Sequence, residues 1–175
     1  LHMLSELKLE LKSEGNVGYL QSSLFQGVLM ERIDKVYAES FHITGLHPYS
    51  QSISSKNGLT WTICTLNADA YKGIIEPLLA PDFTGFDLKA KDQHVDIISK
   101  NIITKTYEDL MKTFNSDKVE KYVKIEFESP TAFKRDSNYV FMPDIRLIFG
   151  SLMRKYSAAS SSTDMTDEET LQYIS

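Results

Sequence analysis

Residues 4–12 alternate leucine with charge: Leu7, Leu9 and Leu11 fall on one side of the chain, Lys8, Glu10 and Lys12 on the other. A side-chain period of two marks a strand with one buried and one wet face, and it stops at Gly15-Asn16. The leucines need an apolar cover, and the next segment supplies one. Leu20, Leu24 and Val28 recur every fourth residue beside Phe25, Leu29, Ile33, Val36 and Tyr37. This broad stripe predicts one long helix over 18–40, with Glu31, Arg32, Asp34 and Lys35 facing water.

The segment 41–50 contains Gly45 and Pro48 and reads as a loop, and it carries His42 and His47. Lys56-Asn57-Gly58 is a hairpin-turn signal between 50–55 and the alternating Leu59, Trp61, Ile63 and Thr65, predicting two antiparallel strands in tight register. A second helix is expected over 68–79, opened by Asn67 and closed near Pro81, with Pro77 close to its last turn. Strands over 84–89 and 94–103 and a short helix over 106–114 follow. The order strand, helix, hairpin, helix, strand is that of an α+β, ferredoxin-like (RRM-like) fold, a four-stranded antiparallel sheet with two helices on one face.

Near residue 119 the order begins again. Residues 121–128 alternate, with Val123, Ile125 and Phe127 on one face, and a second extended piece covers 139–142. Pro143-Asp144 then opens a helix whose Ile145, Ile148, Phe149, Leu152, Met153 and Tyr156 have the spacing of a buried face. The expected organisation is a vector remnant at 1–3, a first ferredoxin-like domain over 4–118, and the truncated beginning of a second ferredoxin-like domain over 119–175. Ala158 to Ser162 reads as a flexible polar break, and 164–174 as a short acidic helix capped by Thr163 or Thr166. A truncated second domain leaves apolar faces that a homodimer could cover.

Composition narrows the chemistry. The single cysteine, Cys64, cannot form an internal disulfide, and the four scattered histidines make no cluster at zinc-ligand spacing, so neither a metal nor a cofactor is expected. No apolar run reaches the ~20 residues of a membrane helix, and no basic-then-apolar leader opens the chain. The expected setting is cytoplasmic, with no membrane partner. Nineteen basic against 24 acidic residues give a net charge of -5, which at face value argues against a nucleic acid. The map of charge alters that inference. Asp164, Asp167, Glu168 and Glu169 lie beyond Ser157, where there is no Lys or Arg, so the body is near neutral. Residues 118–156 hold eight basic against five acidic side chains.

Ser129-Pro130-Thr131-Ala132-Phe133-Lys134-Arg135, then Tyr139-Val140-Phe141-Met142-Pro143-Asp144, Leu147-Ile148 and Ser151-Leu152-Met153-Arg154-Lys155-Tyr156, resemble the conserved centre of one family. That family is the CRISPR-associated endoribonucleases of the RAMP superfamily, which cut precursor CRISPR RNA within its repeats. A shorter match runs from Ser40-Phe41-His42 through His47-Pro48-Tyr49-Ser50. The resemblance implies tandem ferredoxin-like domains and metal-independent cleavage. The ribose 2′-hydroxyl attacks the adjacent phosphate and leaves a 2′,3′-cyclic phosphate. It places the catalytic histidine at His42. Some members add a helix Tyr and a Lys just after the His; here Met30 stands at the first position, and no Lys lies between His42 and Lys56. Two alternatives stand: His47 and Lys35 substitute for them, or catalysis rests on fewer residues, since active sites vary within the family. The glycine-rich loop near the family's C-terminus is absent.

The candidate catalytic residues are therefore His42 and His47, since imidazole can give or take a proton near neutrality. Lys35, Lys134, Arg135, Arg154 and Lys155 are candidates for RNA phosphates, with CRISPR repeat RNA as the expected partner and no DNA. The plainer readings stand beside these: His42 as a cation meeting a helix dipole, His47-Pro48 as a turn, and the basic residues as solvated surface. His94 reads as structural or surface, and Cys64 as a small filler. Of Tyr37, Tyr49, Trp61, Phe133 and Tyr139, all read as core except Phe133, which lies in the motif turn. Two other functions fit the same residues: a noncatalytic RNA-binding subunit of a CRISPR ribonucleoprotein, and a ferredoxin-like protein-interaction domain without an RNA role.

Overall fold

The structure of the chain, a computed structural model, describes residues 3–44, 47–116, 122–127 and 130–160. It divides into two compact units, with the boundary between Leu110 and Met111.

The first unit is built on β1 (Met3–Lys12), which lies at the middle of an antiparallel sheet. One neighbour is β3 (Leu59–Thr65), the other β5 (Gln93–Thr106). β2 (Tyr49–Ser54) pairs outside β3, and β4 (Gly85–Leu88) outside β5. The sheet therefore has five strands in the order β2-β3-β1-β5-β4, not four. The extra one forms because 85–88 folds back on β5 as an edge hairpin; without it the order is the expected ferredoxin-like one. Leu7 and Leu9 are wholly buried, and Leu9 sits opposite Trp61 in the ladder. Phe25 meets the Trp61 and Phe86 rings edge-on at 5.2 and 5.5 Å. Each such side chain contributes about 1.5–3 kcal/mol on burial.

The single long helix expected over 18–40 is in fact two. A 3-10 turn (Tyr19–Gln21) leads into α1 (Ser22–Arg32), and α2 runs over Lys35–Thr44. Between them Ile33 is extended and buried, and the Asp34 carboxylate accepts a hydrogen bond from the Tyr37 N–H at 3.0 Å. A short acidic side chain capping the backbone in this way starts a new helix at a fresh angle. Arg32, read as exposed, is half-buried and lies over the Phe83 ring. Because α2 continues past Ser40, His42 belongs to its last turn and not to a loop.

The β2–β3 connection is looser than a tight hairpin. Ser54 pairs with Thr60, leaving five residues between, with Gly58 at φ +99°. The second helical run begins as expected on Asn67, whose side chain accepts from the Ala70 N–H at 2.8 Å. It comprises α3 (Ala68–Ala70), a wide π turn (Tyr71–Ile75) and α4 (Glu76–Leu79), with Pro77 in the first turn of α4. At Gly73, inside the π turn, an added Cβ would lie 2.3 Å from the Tyr37 ring. α5 (Tyr107–Phe114) spans the boundary of the units, and its first turn is closed by reciprocal bonds between Thr106 and Asp109.

In the second unit β6 (Phe133–Arg135) and β7 (Asn138–Val140) form a hairpin through Asp136 and Ser137, both at positive φ. α6 (Ile145–Ala159) follows, capped by Asp144 as the sequence suggests. Three expectations fail here. Residues 122–127 carry no strand, and Val123, Ile125 and Phe127 are exposed, because no described strand pairs with them. Ile145 and Leu152 face solvent, so the inward stripe of α6 centres on Gly150 and Met153. The helix also runs through Ala158 and Ala159, where a flexible break was expected. The acidic helix expected over 164–174 lies outside the described residues.

Candidate functional site

His47 follows α2 and precedes β2, and its position is fixed by aromatic neighbours. Its exposed ring lies 5.3 Å from Phe41 and stacks on Tyr49 at 5.5 Å with 15° between the planes. Phe41 in turn meets Tyr37 edge-on at 4.9 Å and Tyr49 at 5.2 Å. Phe41 and Tyr49 are buried, so their rings are held from the core side.

Tyr49 is anchored further by a chain of side-chain hydrogen bonds. The Trp61 indole N–H donates to Gln51 Oε1 at 2.9 Å, Gln51 Nε2 donates to Gln26 Oε1 at 2.7 Å, and Gln26 Nε2 donates to the Tyr49 hydroxyl oxygen at 2.7 Å. Indole N–H can only donate, so this end fixes the orientation of both amides and makes the Tyr49 oxygen an acceptor toward Gln26. Burial raises the Tyr49 phenol above its usual range, and the Gln26 bond opposes that rise. Burial, and then the nearby Asp69 and Tyr49, also raise Tyr37.

His42 lies in the last turn of α2, where the helix dipole attracts positive charge. Its side chain lies outside the described part of the structure. Lys35 opens the same helix, exposed, seven residues earlier. Two turns separate the two positions by about 10 Å along the axis.

The basic candidates of the second unit separate into two places. On the hairpin, Lys134 stands opposite Tyr139 and places its ammonium 4.8 Å over that ring. Arg135 forms an ion pair with Asp144, the N-cap of α6. Burial raises the Asp144 carboxyl, but the Leu147 and Arg146 N–H groups and the Arg135 guanidinium together hold it below the usual carboxylate range. Arg154 and Lys155 lie far along α6, about 15 Å from that cap by helical rise. Arg154 is exposed and Lys155 half-buried.

Tyr139 is the aromatic that sequence reasoning missed. It is 63% exposed, whereas Phe133 is half-buried edge-on against Phe127. The short hairpin is the reason: residues in register across it share a face, and the face bearing Lys134 and Tyr139 looks outward. The expectation of core burial holds for Tyr49 and Trp61. His94 is exposed on the β4–β5 hairpin, with Nδ1 2.6 Å from Asp87 and Nε2 3.4 Å from Asp96. Among the described residues no group of three or more His, Cys, Asp and Glu is arranged to hold a metal ion, and no helix is long and apolar enough to cross a membrane.

The middle of the outer face of the first sheet is polar. Its cross-strand rows read Ser52, Thr62, Lys8, Asn101 and Ser54, Thr60, Glu10, Ser99. RRM sheets stack bases on aromatic side chains at these places, so the RRM-like label describes only the topology of this unit.

The model of the CRISPR-associated endoribonuclease Cas6 matches residues 125–173. Cas6 of Mycobacterium tuberculosis (strain H37Rv) is 35% identical over 134 residues, covering 75% of this chain and 43% of the relative. Cas6 of Streptococcus thermophilus is 31% identical over 158 residues, 86% of this chain and 61% of the relative. The chain thus spans about half the length of these curated relatives. Among solved structures, one Cas6 product complex superposes with a TM-score of 0.66 at 18% identity, over 98% of this chain and 69% of the other. A second Cas6 product complex gives 0.65 at 22% identity, over 99% and 72%. Those two likenesses establish the fold alone, and the curated relatives and the family model carry the similarity of this chain to the Cas6 family of CRISPR-associated endoribonucleases.

Proposed function

We propose that the chain takes part in cutting precursor CRISPR RNA within its repeats, by attack of a ribose 2′-hydroxyl on the adjacent phosphate without a metal ion. The products are a 2′,3′-cyclic phosphate and a free 5′-hydroxyl. The reaction needs one group to accept the 2′-hydroxyl proton and another to protonate the leaving 5′-oxygen. His42 and His47, five residues apart across the end of α2, are the pair for these two roles. The observation that carries the reading is the placement of His47. An exposed imidazole packed against the touching Phe41 and Tyr49 rings is pre-positioned without being sequestered. Lys35 serves a neighbouring phosphate, and Lys134, Arg135, Arg154 and Lys155 of the second unit are read as holding other phosphates of the RNA. Residues 119–175 are read as opening a second ferredoxin-like domain.

Because the chain spans about half the length of its curated relatives and is expected to cleave poorly alone, the test is incubation of a longer protein containing it with repeat RNA in excess chelator, followed by analysis of the product ends. A cyclic phosphate is expected, with cleavage slowed about tenfold or more by His42→Ala. An equally fast His42→Ala variant overturns the assignment of His42. One observation favours the noncatalytic RNA-binding subunit instead. Met30, at the position of the family's helix tyrosine, is partly buried against the core and offers no proton. Tight binding of repeat RNA that stays intact would establish that alternative.

A further inference from the structure

Beside the start of β2 the outer face of the first sheet ends in a cavity of about 370 Å³ that none of the roles above uses. It is lined by Leu4 and Glu6 of β1, Cys64 and Leu66 at the end of β3, and Ile103 and Lys105 of β5. The strand register explains why these six converge. Glu6 lies opposite both Cys64 and Ile103, and Leu4 opposite Lys105, so their side chains share one face. Ser5 and Thr65, between them in the strands, are buried on the other face of the sheet and bond to each other through their hydroxyls at 2.5 Å, so the strand backbone forms the floor. The volume lies within the ~300–1,000 Å³ of small-ligand sites, and apolar walls with a few convergent polar groups are their usual make-up.

Two features say what would enter. The Leu66 N–H donates to the Pro48 carbonyl at 2.9 Å, so the cavity rim is tied to the residue next to His47. Its polar groups are an exposed carboxylate and an exposed ammonium, Glu6 and Lys105, beside the apolar side chains of Leu4, Leu66 and Ile103. The Cys64 thiol lies 4.0 Å from the Glu6 carboxylate as a weak donor. A planar base with N–H donors on its edge and a phosphate at its side satisfies all three surfaces. A carboxylate presents two acceptors, and guanine is the base whose Watson–Crick edge offers two adjacent N–H donors. We propose that this cavity is a guanine-selective nucleobase site, with Glu6 accepting from the base's N1–H and N2–H, Lys105 neutralising its phosphate, and Leu4, Leu66 and Ile103 packing on the ring. The site would set which nucleotide lies next to the one cut, and so rests on the RNA-processing reading above.

Cys64 is the only cysteine of the chain and lines the cavity, so its alkylation reports occupancy directly. The rate of its reaction with N-ethylmaleimide is measured by mass spectrometry under increasing guanosine, inosine, adenosine or uridine 5′-monophosphate. Guanosine monophosphate is expected to protect at concentrations about tenfold below those needed for the adenosine and uridine compounds, with inosine, which lacks the 2-amino group, between. Glu6→Gln should abolish the preference, and Lys105→Gln should weaken all four alike. Equal protection by all four nucleotides, or none by any, overturns the proposal. Repeat-RNA cleavage run in parallel keeps the two readings apart: cleavage without guanine protection refutes the cavity alone, and protection without RNA cleavage or binding refutes the processing reading alone.

Discussion

The hydrogen-bonded chain from Trp61 to Tyr49 makes a quantitative demand on stability. Gln26→Met keeps the side-chain length and removes the amide, breaking the bonds from Gln51 and to Tyr49. At about 1 kcal/mol each, the loss is about 2 kcal/mol. Gln51→Met also breaks two bonds, and one of them leaves the N–H of the wholly buried Trp61 without its acceptor, so about 2–3 kcal/mol is expected. The Gln51–Gln26 bond is counted in both variants. The double variant should therefore lose about 1 kcal/mol less than the sum of the single ones. Trp61 is the only tryptophan, so urea unfolding followed by its fluorescence reads the first unit and not the second. Strict additivity, or a loss below about 0.5 kcal/mol in either single variant, would refute the claim that the amides act as one fixed chain.

Three further outcomes follow from single contacts. His94 is raised above its ordinary 6.5 by its hydrogen bond to Asp87, against burial and with help from Asp96. Its contribution is therefore complete below pH 6.5 and lost as pH climbs through the higher folded-state value; the urea midpoint of the first unit should fall over that rise, and Asp87→Asn should flatten the dependence. Gly73→Ala pushes a methyl against the Tyr37 ring and should cost about 1–3 kcal/mol in the same urea assay. Asn67→Ala removes the cap on Ala70 and should cost about 1 kcal/mol, read as a lower thermal midpoint.

Where the sequence reading succeeded, one local period dominated. Leu7, Leu9 and Leu11 alternate without interruption, and the ladder through Leu9 and Trp61 follows from that alternation. Asn67 and Asp144 precede their helices in the pattern of a cap and act as caps. The long helix was misread because hydrophobic spacing cannot distinguish one helix from two when the break itself is apolar: Ile33 continues the stripe while extended. The signal present was Asp34, three residues before Tyr37, whose N–H it caps. α6 failed in the opposite sense. Ile145 and Leu152 fit the stripe, but a period states which residues share a face and not how wide a face the neighbours cover. The chain of Gln26, Gln51, Trp61 and Tyr49 left no trace in the sequence, since its members lie on different elements and meet only through the fold.

The polar outer rows of the first sheet bear on where an RNA strand could be read. Lys8, Thr62 and Ser52 in the central row can hold a backbone but give a base no flat surface, and a base left unstacked there forfeits the ~1–3 kcal/mol that aromatic platforms supply. On the RNA-processing reading proposed above, recognition by this unit falls at the end of the sheet where β2 begins. There the aromatic rings holding His47 lie on the helix side, the cavity of Glu6 and Lys105 opens on the outer side, and the Leu66–Pro48 bond joins their rims. If the cavity takes a base as proposed, the Leu66–Pro48 bond is the direct link between that base and His47. The hairpin of the second unit supplies a different kind of contact. Tyr139 already has a cation over one ring face, so any base stacking there would use the opposite face and would be read by shape and charge, without an edge-specific partner.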